Sequence, residues 1–429
     1  MNRRTLLIAA VRAGLAPFGA LGAVSYGTLV QAEQARPAAS FLDSLGINTH
    51  INYLDTAYGR FAEIVRPRLV ELGIRHIRDG SLPDVPLYYD RLRELGNLGI
   101  RSTLIATPGF ISPEQAAVVA RRLGSAQEAL EGPNEFDINR DPAQWVPVVR
   151  DYQQQLFQRA RADSATRKLS VLGPSFVSPE ASSQVGNLAP WCTHGNMHPY
   201  TYPRPPGGPA VLADLALRRR PFHTLPMMAT ESGFPTGSPA SDRPVSPQAQ
   251  AHYLPRMFLE YFNLGIVRTF AYELLDQRAE PANSEANFGI LRSDGTPKPA
   301  FVALKNMIAV LREPTTAPTR PAVAFDYRLG TMPDYVHRTL LRKRDGRLYL
   351  ILWQEVPSYF PELNRNHTPA PQFVDLTLRT PIRQAVLHHP VRSATPVATY
   401  TNPKRIRLSV TDAPLILEMA PAAPGSTRR

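Results

Sequence analysis

Two glutamates, Glu135 and Glu231, stand in contexts that suit acid–base and nucleophilic work. The first lies in Glu131-Gly-Pro-Asn-Glu135-Phe-Asp and the second in Met228-Ala-Thr-Glu231-Ser-Gly-Phe. Each follows a short apolar run that reads as a buried strand, and each precedes a loop. They are 96 positions apart, which leaves room for about three strand–helix units of roughly 30 residues. Two carboxylates carried from different strand ends into one cleft are what cleavage of a glycosidic bond requires, one as acid and the other as nucleophile or base. Glu135 reads as the general acid and base, which must start protonated. Pro133 and Phe136 beside it suit a neutral carboxyl. Glu231 reads as the nucleophile, which must start ionised, with Arg78 and Tyr200 as the donors that would hold it so. Asn134 is placed to bond a sugar 2-hydroxyl.

These side chains need a scaffold that brings strand ends together. Over residues 40–312 short apolar runs alternate with amphipathic helices, with strands expected near 46–51, 74–78, 102–106, 129–135, 169–173, 195–198, 227–231 and 267–273. Ser112-Pro-Glu-Gln115, Asp141-Pro-Ala-Gln144 and Ser246-Pro247 mark helix starts, with a capping side chain followed by proline. A single helix is expected over 57–72, with Phe61, Ile64, Val65 and Leu69 on one face. A fifth, poorly marked helix is expected over 181–191. Eight such units predict a closed (β/α)₈ barrel, an α/β fold whose catalytic groups sit at the C-terminal strand ends. His50, Arg78 with Asp79, Thr107, Asn134 with Glu135, His198 with Tyr200, Glu231, and Tyr272 with Glu273 fall there. Arg78, His198, Tyr200, Tyr272 and His50 join Asn134 as candidate substrate contacts.

Beyond a proline cluster between Pro314 and Pro321 the texture changes to alternating strands, with Arg344-Asp-Gly346 as a hairpin turn. This predicts a β-sandwich over 322–422. It reads either as a buttress against the barrel, the favoured reading, or as a carbohydrate-binding module with Trp353 or Tyr359 as stacking platform.

The net charge of +12 rests on 48 lysines and arginines, of which only Lys168, Lys298, Lys305, Lys343 and Lys404 are lysines. An acidic partner is one explanation; scattered arginines on outer helices are the simpler one. No nucleic-acid-binding motif appears. Cys192 is the only cysteine, so no intramolecular disulfide can form. Residues 1–32 resemble an export signal: Arg3-Arg4 begin a basic segment, a small-residue apolar run follows, and Val30-Gln-Ala32 resembles a cleavage site. The expectation is a periplasmic or secreted bacterial protein, touching a membrane only if that segment stays uncleaved. Oligomeric state is not readable.

Other chemistries fit less well. His198-Pro-Tyr200 lacks the second histidine or cysteine of a metal motif. No lysine falls at an expected strand end, which disfavours a Schiff base. Gly173-Pro-Ser-Phe-Val is not a serine-hydrolase elbow. No metal or organic cofactor is expected.

The segments Gly-Pro-Asn134-Glu135, His198-Pro-Tyr200, Thr230-Glu231-Ser-Gly and Phe288-Gly-Ile-Leu-Arg-Ser-Asp-Gly-Thr-Pro-Lys-Pro-Ala300 resemble the clan A glycoside hydrolases over residues 45–312. That clan comprises retaining enzymes with an acid/base and a nucleophile glutamate at the ends of barrel strands four and seven. The resemblance implies those roles for Glu135 and Glu231, a sugar contact for Asn134, and support from Arg78, His198 and Tyr200. Strand eight departs from family 5 by ending in Tyr272-Glu273 instead of a tryptophan platform. Strand three ends in Ala106-Thr-Pro without a histidine. Family 39 and exopolysaccharide-processing groups are nearer. The implied substrate is a poly- or oligosaccharide, such as an exopolysaccharide or cell-wall glycan. The alternatives are a catalytically silent sugar-binding barrel and a structural envelope protein.

Overall fold

The computed structural model describes residues 30–238, 243–313 and 325–422. Residues 1–29, which carry most of the export reading, lie outside them. Eight parallel strands run in chain order around a ring: Leu45–Asn48, His76–Gly80, Arg101–Ile105, Gln127–Glu131, Ser170–Leu172, Gly195–Met197, Met227–Ser232 and Arg268–Ala271. The eighth pairs with the first, with Ala271 beside Ile47. Leu172 bridges to His194 between the fifth and sixth, where the Thr193 N–H donates to the Val171 carbonyl at 2.7 Å. The barrel is therefore closed. Its strands carry Ile47, Ile77, Leu104, Leu130 and Val171, all buried, because helices cover the outer face and side chains fill the interior.

Local rules explain most helix boundaries. Ser112 and Gln115 form a reciprocal capping box, and Asp141, Ser178 and Ser246 each cap a helix whose first residue is proline. Two expected helices differ from the sequence reading. The segment 57–72 breaks into a 3₁₀ turn at Ala57–Gly59, a π turn at Phe61–Val65 and the helix Arg66–Leu72. Pro67 lacks the N–H that would bond back to Glu63, and the chain widens there. Phe61, Ile64, Val65 and Leu69 are nevertheless all buried. The fifth helix is only Pro179–Gln184, because Gly186 turns into the left-handed region at φ 74°.

The second domain is a sandwich of two mainly antiparallel sheets. One holds Phe325–Leu329, Gln372–Leu378 and Arg405–Val410; the other holds Pro396–Thr401, Ile382–His388, Leu415–Pro421, Leu348–Gln354 and Val336–Arg342. The chain ahead of the barrel adds a strand to each, Val30–Glu33 beside Phe325–Leu329 and Arg36–Pro37 beside Val336–Arg342. A cut after Ala32 would remove most of the first. Leu340, Leu350, Leu376, Leu408 and Leu417 form the core between the sheets.

The barrel meets the sandwich along the helix Pro247–Asn263. His252 bonds Asp412 (2.7 Å), Arg256 bonds Glu355 (2.9 Å), Glu260 bonds His337, and Asn263 Nδ2 donates to the Arg338 carbonyl (3.0 Å). Residues three or four apart share one helical stripe, so a single face docks. This corrects the platform reading. Trp353 is 0% exposed, because strand Leu348–Gln354 is covered by the sandwich core on one face and by the barrel on the other, and Tyr359 on the short strand Tyr359–Phe360 is 5% exposed. Neither ring is exposed to stack on a sugar.

Candidate active site

Arg78 organises the barrel mouth. It leaves the second strand only 2% exposed and meets Glu131 bidentately, Nε to Oε2 and Nη2 to Oε1, both 2.7 Å. Nη1 donates to Glu231 Oε1 (2.7 Å) and to Asn48 Oδ1 (2.9 Å), and Nη2 to Asn134 Oδ1 (2.6 Å). Burial works against its charge, but the carboxylates of Glu131 and Glu231 outweigh that, so its pKa lies above the ordinary value. The guanidinium is a fixed cation facing two buried carboxylates.

Glu231 ends the seventh strand and is 4% exposed. Besides Arg78 it accepts the Tyr200 hydroxyl at Oε2 (2.7 Å). Charge-assisted bonds of this kind favour the anion. Gly233, two residues on, passes so close to strand eight that a Cβ would sit 2.1 Å from the Tyr272 carbonyl oxygen. This explains the glycine in Glu231-Ser-Gly.

Glu135 lies beyond a break after the fourth strand, where Asn134 bridges in parallel to Ser175. Thr107 Oγ1 accepts the Asn134 N–H (3.1 Å), and Ser175 O accepts that of Glu135 (3.0 Å). Glu135 adopts φ 45°, a region few non-glycine residues enter and one that clusters at functional sites. His198 links the two glutamates. Its Nδ1 is 2.8 Å from Glu135 Oε1 and 3.7 Å from Glu231 Oε2, while Nε2 is 3.0 Å from Thr230 Oγ1. The Thr230 hydroxyl donates to Asn196 Oδ1 (2.7 Å).

The eighth strand supplies a different set. The Tyr272 hydroxyl donates to Glu285 Oε1 (2.7 Å), and His50 Nε2 is 3.3 Å from that hydroxyl. His50 stacks on Tyr53 with centroids 4.5 Å apart. Tyr200, Tyr202, Phe288 and Tyr272 line up edge to face, with centroids 5.3 to 5.8 Å apart. Glu273 is 0% exposed and accepts from Tyr58 (2.9 Å) and Gln277 (2.9 Å). Burial raises its pKa well above the ordinary value, and His50 Nε2 lies 3.2 Å from its Oε2. Asp79 points away from Arg78 toward the loop after strand one. It accepts from Thr49 Oγ1 (2.7 Å) and the Ile51 N–H (2.9 Å), and burial pushes it up to about 7.

All eight candidates thus meet around one mouth, in two groups. Arg78, Asn134, Glu135, His198, Tyr200 and Glu231 are bonded to one another, whereas His50 and Tyr272 form a separate wall. Sequence reasoning missed Glu131, Asn48, Asn196, Thr230 and Glu285. Asn48 left a readable signal, as a polar residue closing the apolar run Leu45-Gly-Ile. Lys298 of the Asp-Gly-Thr-Pro-Lys-Pro-Ala motif is buried and donates to Asp276 (2.7 Å) and Thr236 (2.7 Å), tying the loops after strands seven and eight together. Glu135, His198 and Glu231 each offer a ligand atom within 4.8 Å of the others. Arg78 and Tyr200 already occupy the Glu231 oxygens, however, so this group suits acid–base chemistry better than metal binding.

No family model matches the sequence, and no curated protein is similar to it in sequence. The fold is shared with a family 39 glycoside hydrolase from Bacteroides cellulosilyticus WH2 (TM-score 0.61, 15% identity, 90% of this chain and 81% of that one). It is shared also with a glucosidase from Croceicoccus marinus (TM-score 0.51, 10% identity, 84% of this chain and 93% of that one). The chain therefore shares the (β/α)₈ barrel fold of these proteins, here joined to a β-sandwich.

Proposed function

We propose that the protein is a retaining glycoside hydrolase acting on a poly- or oligosaccharide. The observation that carries this is the proximity of Glu135 and Glu231, which offer oxygens within 4.8 Å of each other across His198. So close an approach of oxygens fits a retaining pair, whose carboxyl groups stand about 5–5.5 Å apart, better than an inverting pair, which leaves roughly 6.5–9.5 Å for a water.

The hydrogen bonds divide the labour. Glu231, facing Arg78 and Tyr200, is the ionised nucleophile. Thr230 spends its only proton away from His198, so its oxygen accepts, and His198 carries hydrogen on Nε2. This assigns the tautomer from the network. Nδ1, 2.8 Å from Glu135 Oε1, can share one proton with that carboxyl, and the acid role places it on Glu135.

In the first step Glu135 gives its proton to the glycosidic oxygen as the C–O bond breaks, and Glu231 attacks the anomeric carbon to form an ester. In the second, Glu135 takes a proton from water, which displaces Glu231 and regenerates both groups. Asn134 Oδ1 accepts from Arg78 and Ser175, leaving its amide nitrogen to donate to the sugar 2-hydroxyl. An exopolysaccharide or cell-wall glycan fits an exported chain, and N-terminal sequencing of the mature protein tests export.

The chemistry is tested by a panel of 2-fluoro glycosyl fluorides, with the labelled peptide mapped by mass spectrometry. An ester on Glu231 is expected. A label on Glu273 or Asp276 would overturn the nucleophile. Glu273 is wholly buried, and Asp276 is engaged by Lys298.

A further inference from the structure

The β-sandwich reaches into the barrel at one loop of the mouth. Residues 201–208 connect Tyr200, which donates to Glu231, to the helix Pro209–Arg218. At its far end the Gly207 N–H donates to Glu355 Oε1 (2.8 Å). Glu355 belongs to the sandwich, just after strand Leu348–Gln354, and its side chain is 4% exposed. Its other oxygen accepts from Arg256 Nε (2.9 Å) and the Trp353 indole N–H (3.1 Å). Trp353 also donates to Glu260 (2.8 Å). Gly207 is wedged between these two carboxyls: a Cβ there would lie 2.8 Å from Glu260 Cδ and 2.9 Å from Glu355 Cδ.

The near end of the loop is held too. The Pro199 carbonyl accepts from Ser232 Oγ (3.0 Å), on the nucleophile's own strand, and from the Tyr261 hydroxyl (3.0 Å). Between the anchors stand Pro203, Pro205 and Pro206. Each fixes its φ, so a displacement at Gly207 is passed along the chain more than it is absorbed. Tyr200 and Tyr202 ride on this stretch and pack against Phe288 in the wall of the mouth.

We propose that Glu355 is a positioning residue of the active site, by which the β-sandwich fixes the loop that carries Tyr200 and Tyr202. The sandwich is then part of the catalytic unit and not only a support beneath it. The inference rests on the proposed glycosidase reading, in which Tyr200 serves the nucleophile.

The test uses the full chain and two readouts. Hydrogen exchange of peptides spanning 199–208 reads the loop without any substrate. Kinetics on a nitrophenyl glycoside turned over by the wild type read its consequence. Glu355→Ala should raise loop exchange about tenfold while the barrel strands keep their protection. Only the ordered fraction of the loop binds productively, so KM should rise about tenfold and kcat should change less. Glu355→Gln keeps an oxygen for the Gly207 N–H and should restore most of both. Arg347→Ala, which breaks an ion pair of the sandwich with Glu418, should move neither.

If Glu355→Ala fails to fold, Gly207→Ala decides from the barrel side, with the same two signatures expected. Unaltered loop exchange, or a fall in kcat at constant KM, overturns the proposal. If Glu231→Ala retained turnover, the glycosidase reading would fall while the exchange result still judged the coupling.

Discussion

The molecule holds two groups of very similar composition. At the barrel mouth Glu135, His198 and Glu231 gather beside Arg78. At the domain boundary Glu260, His337 and Glu355 gather beside Arg256. In each group one ligand atom from each of the three residues lies within 4.8 Å of the others, and in each the arginine is buried, 2% and 0% exposed. The difference lies in space and in the occupants of the lone pairs. The boundary group is roofed by the Trp353 indole and plugged by Gly207, which stands too close to Glu260 and Glu355 to carry even a methyl group. The mouth group keeps 12% of the Glu135 side chain exposed, at the C-terminal ends of the barrel strands. Carboxylates, a histidine and an arginine make a latch where the walls close and a reaction site where they part.

The contrast breaks first on activity. Glu231→Ala should lower turnover on the order of 10⁴-fold or more, because the covalent step loses its nucleophile. Azide should enter the vacated space, attack the anomeric carbon and give a glycosyl azide of inverted configuration from an activated substrate. Rescue with retained configuration would sink the double displacement. Glu135→Ala comes next. It should cost about 10²- to 10⁴-fold where the leaving oxygen needs a proton, and little in the first step where the leaving group is an activated phenol. Equal losses on natural and activated glycosides would remove Glu135 from the role of acid.

Stability separates the two arginines. Arg78→Met strands Glu131 and Glu231 without a counter-charge inside the barrel and should cost about 3–5 kcal/mol. Arg256→Met leaves Glu355 with the Gly207 and Trp353 N–H donors, so its loss should be smaller. Denaturant titration of both variants checks this. A larger loss at Arg256 would mean that the latch, and not the mouth, is the more strained store of charge.

Much of the mouth was legible in the sequence because barrel geometry turns chain position into spatial position. Eight strands bring their polar end residues near one opening, where His50, Arg78, Asn134, Glu135, His198, Tyr200, Glu231 and Tyr272 gather, while Asp79 and Glu273 turn into buried bonds beside it. What strand ends cannot reveal is a partner inside the barrel. Glu131 is four residues before Glu135, deeper in the barrel, and its partner Arg78 comes from another strand. The boundary latch was illegible for another reason. Glu260 and Glu355 come from separate domains, and no pattern along the chain states how two domains dock. Trp353 misled as a stacking platform because a strand buried on both faces looks, in sequence, like one with an aromatic face to offer. Of the strands ahead of the barrel, Val30–Glu33 overlaps the segment that resembles an export signal, and Arg36–Pro37 is too short to show a period.

The smallest expected effect concerns pH and belongs to the latch alone. Burial raises the pKa of Glu260, against the opposing pull of His337. Burial works the other way on His337, but the carboxylates of Glu260 and Glu355 outweigh it, and its pKa also lies above the ordinary value. Both shifts have the same sign. A group whose folded pKa exceeds its unfolded value holds its proton more tightly in the folded state, so stability falls as pH rises through that window. For Glu260 the fall begins above the ordinary carboxylate range. For His337 the contribution is whole below about 6.5 and is lost as pH climbs through the raised folded value. The latch should therefore loosen toward alkaline pH, when neutral His337 leaves two carboxylates facing one guanidinium. Melting temperature followed from pH 5 to 9 should decline less steeply in His337→Gln than in the wild type, and loop 199–208 should exchange faster in the wild type as pH rises, once the intrinsic rate is corrected. Identical slopes in the two proteins would show that His337 carries no charge into the interface.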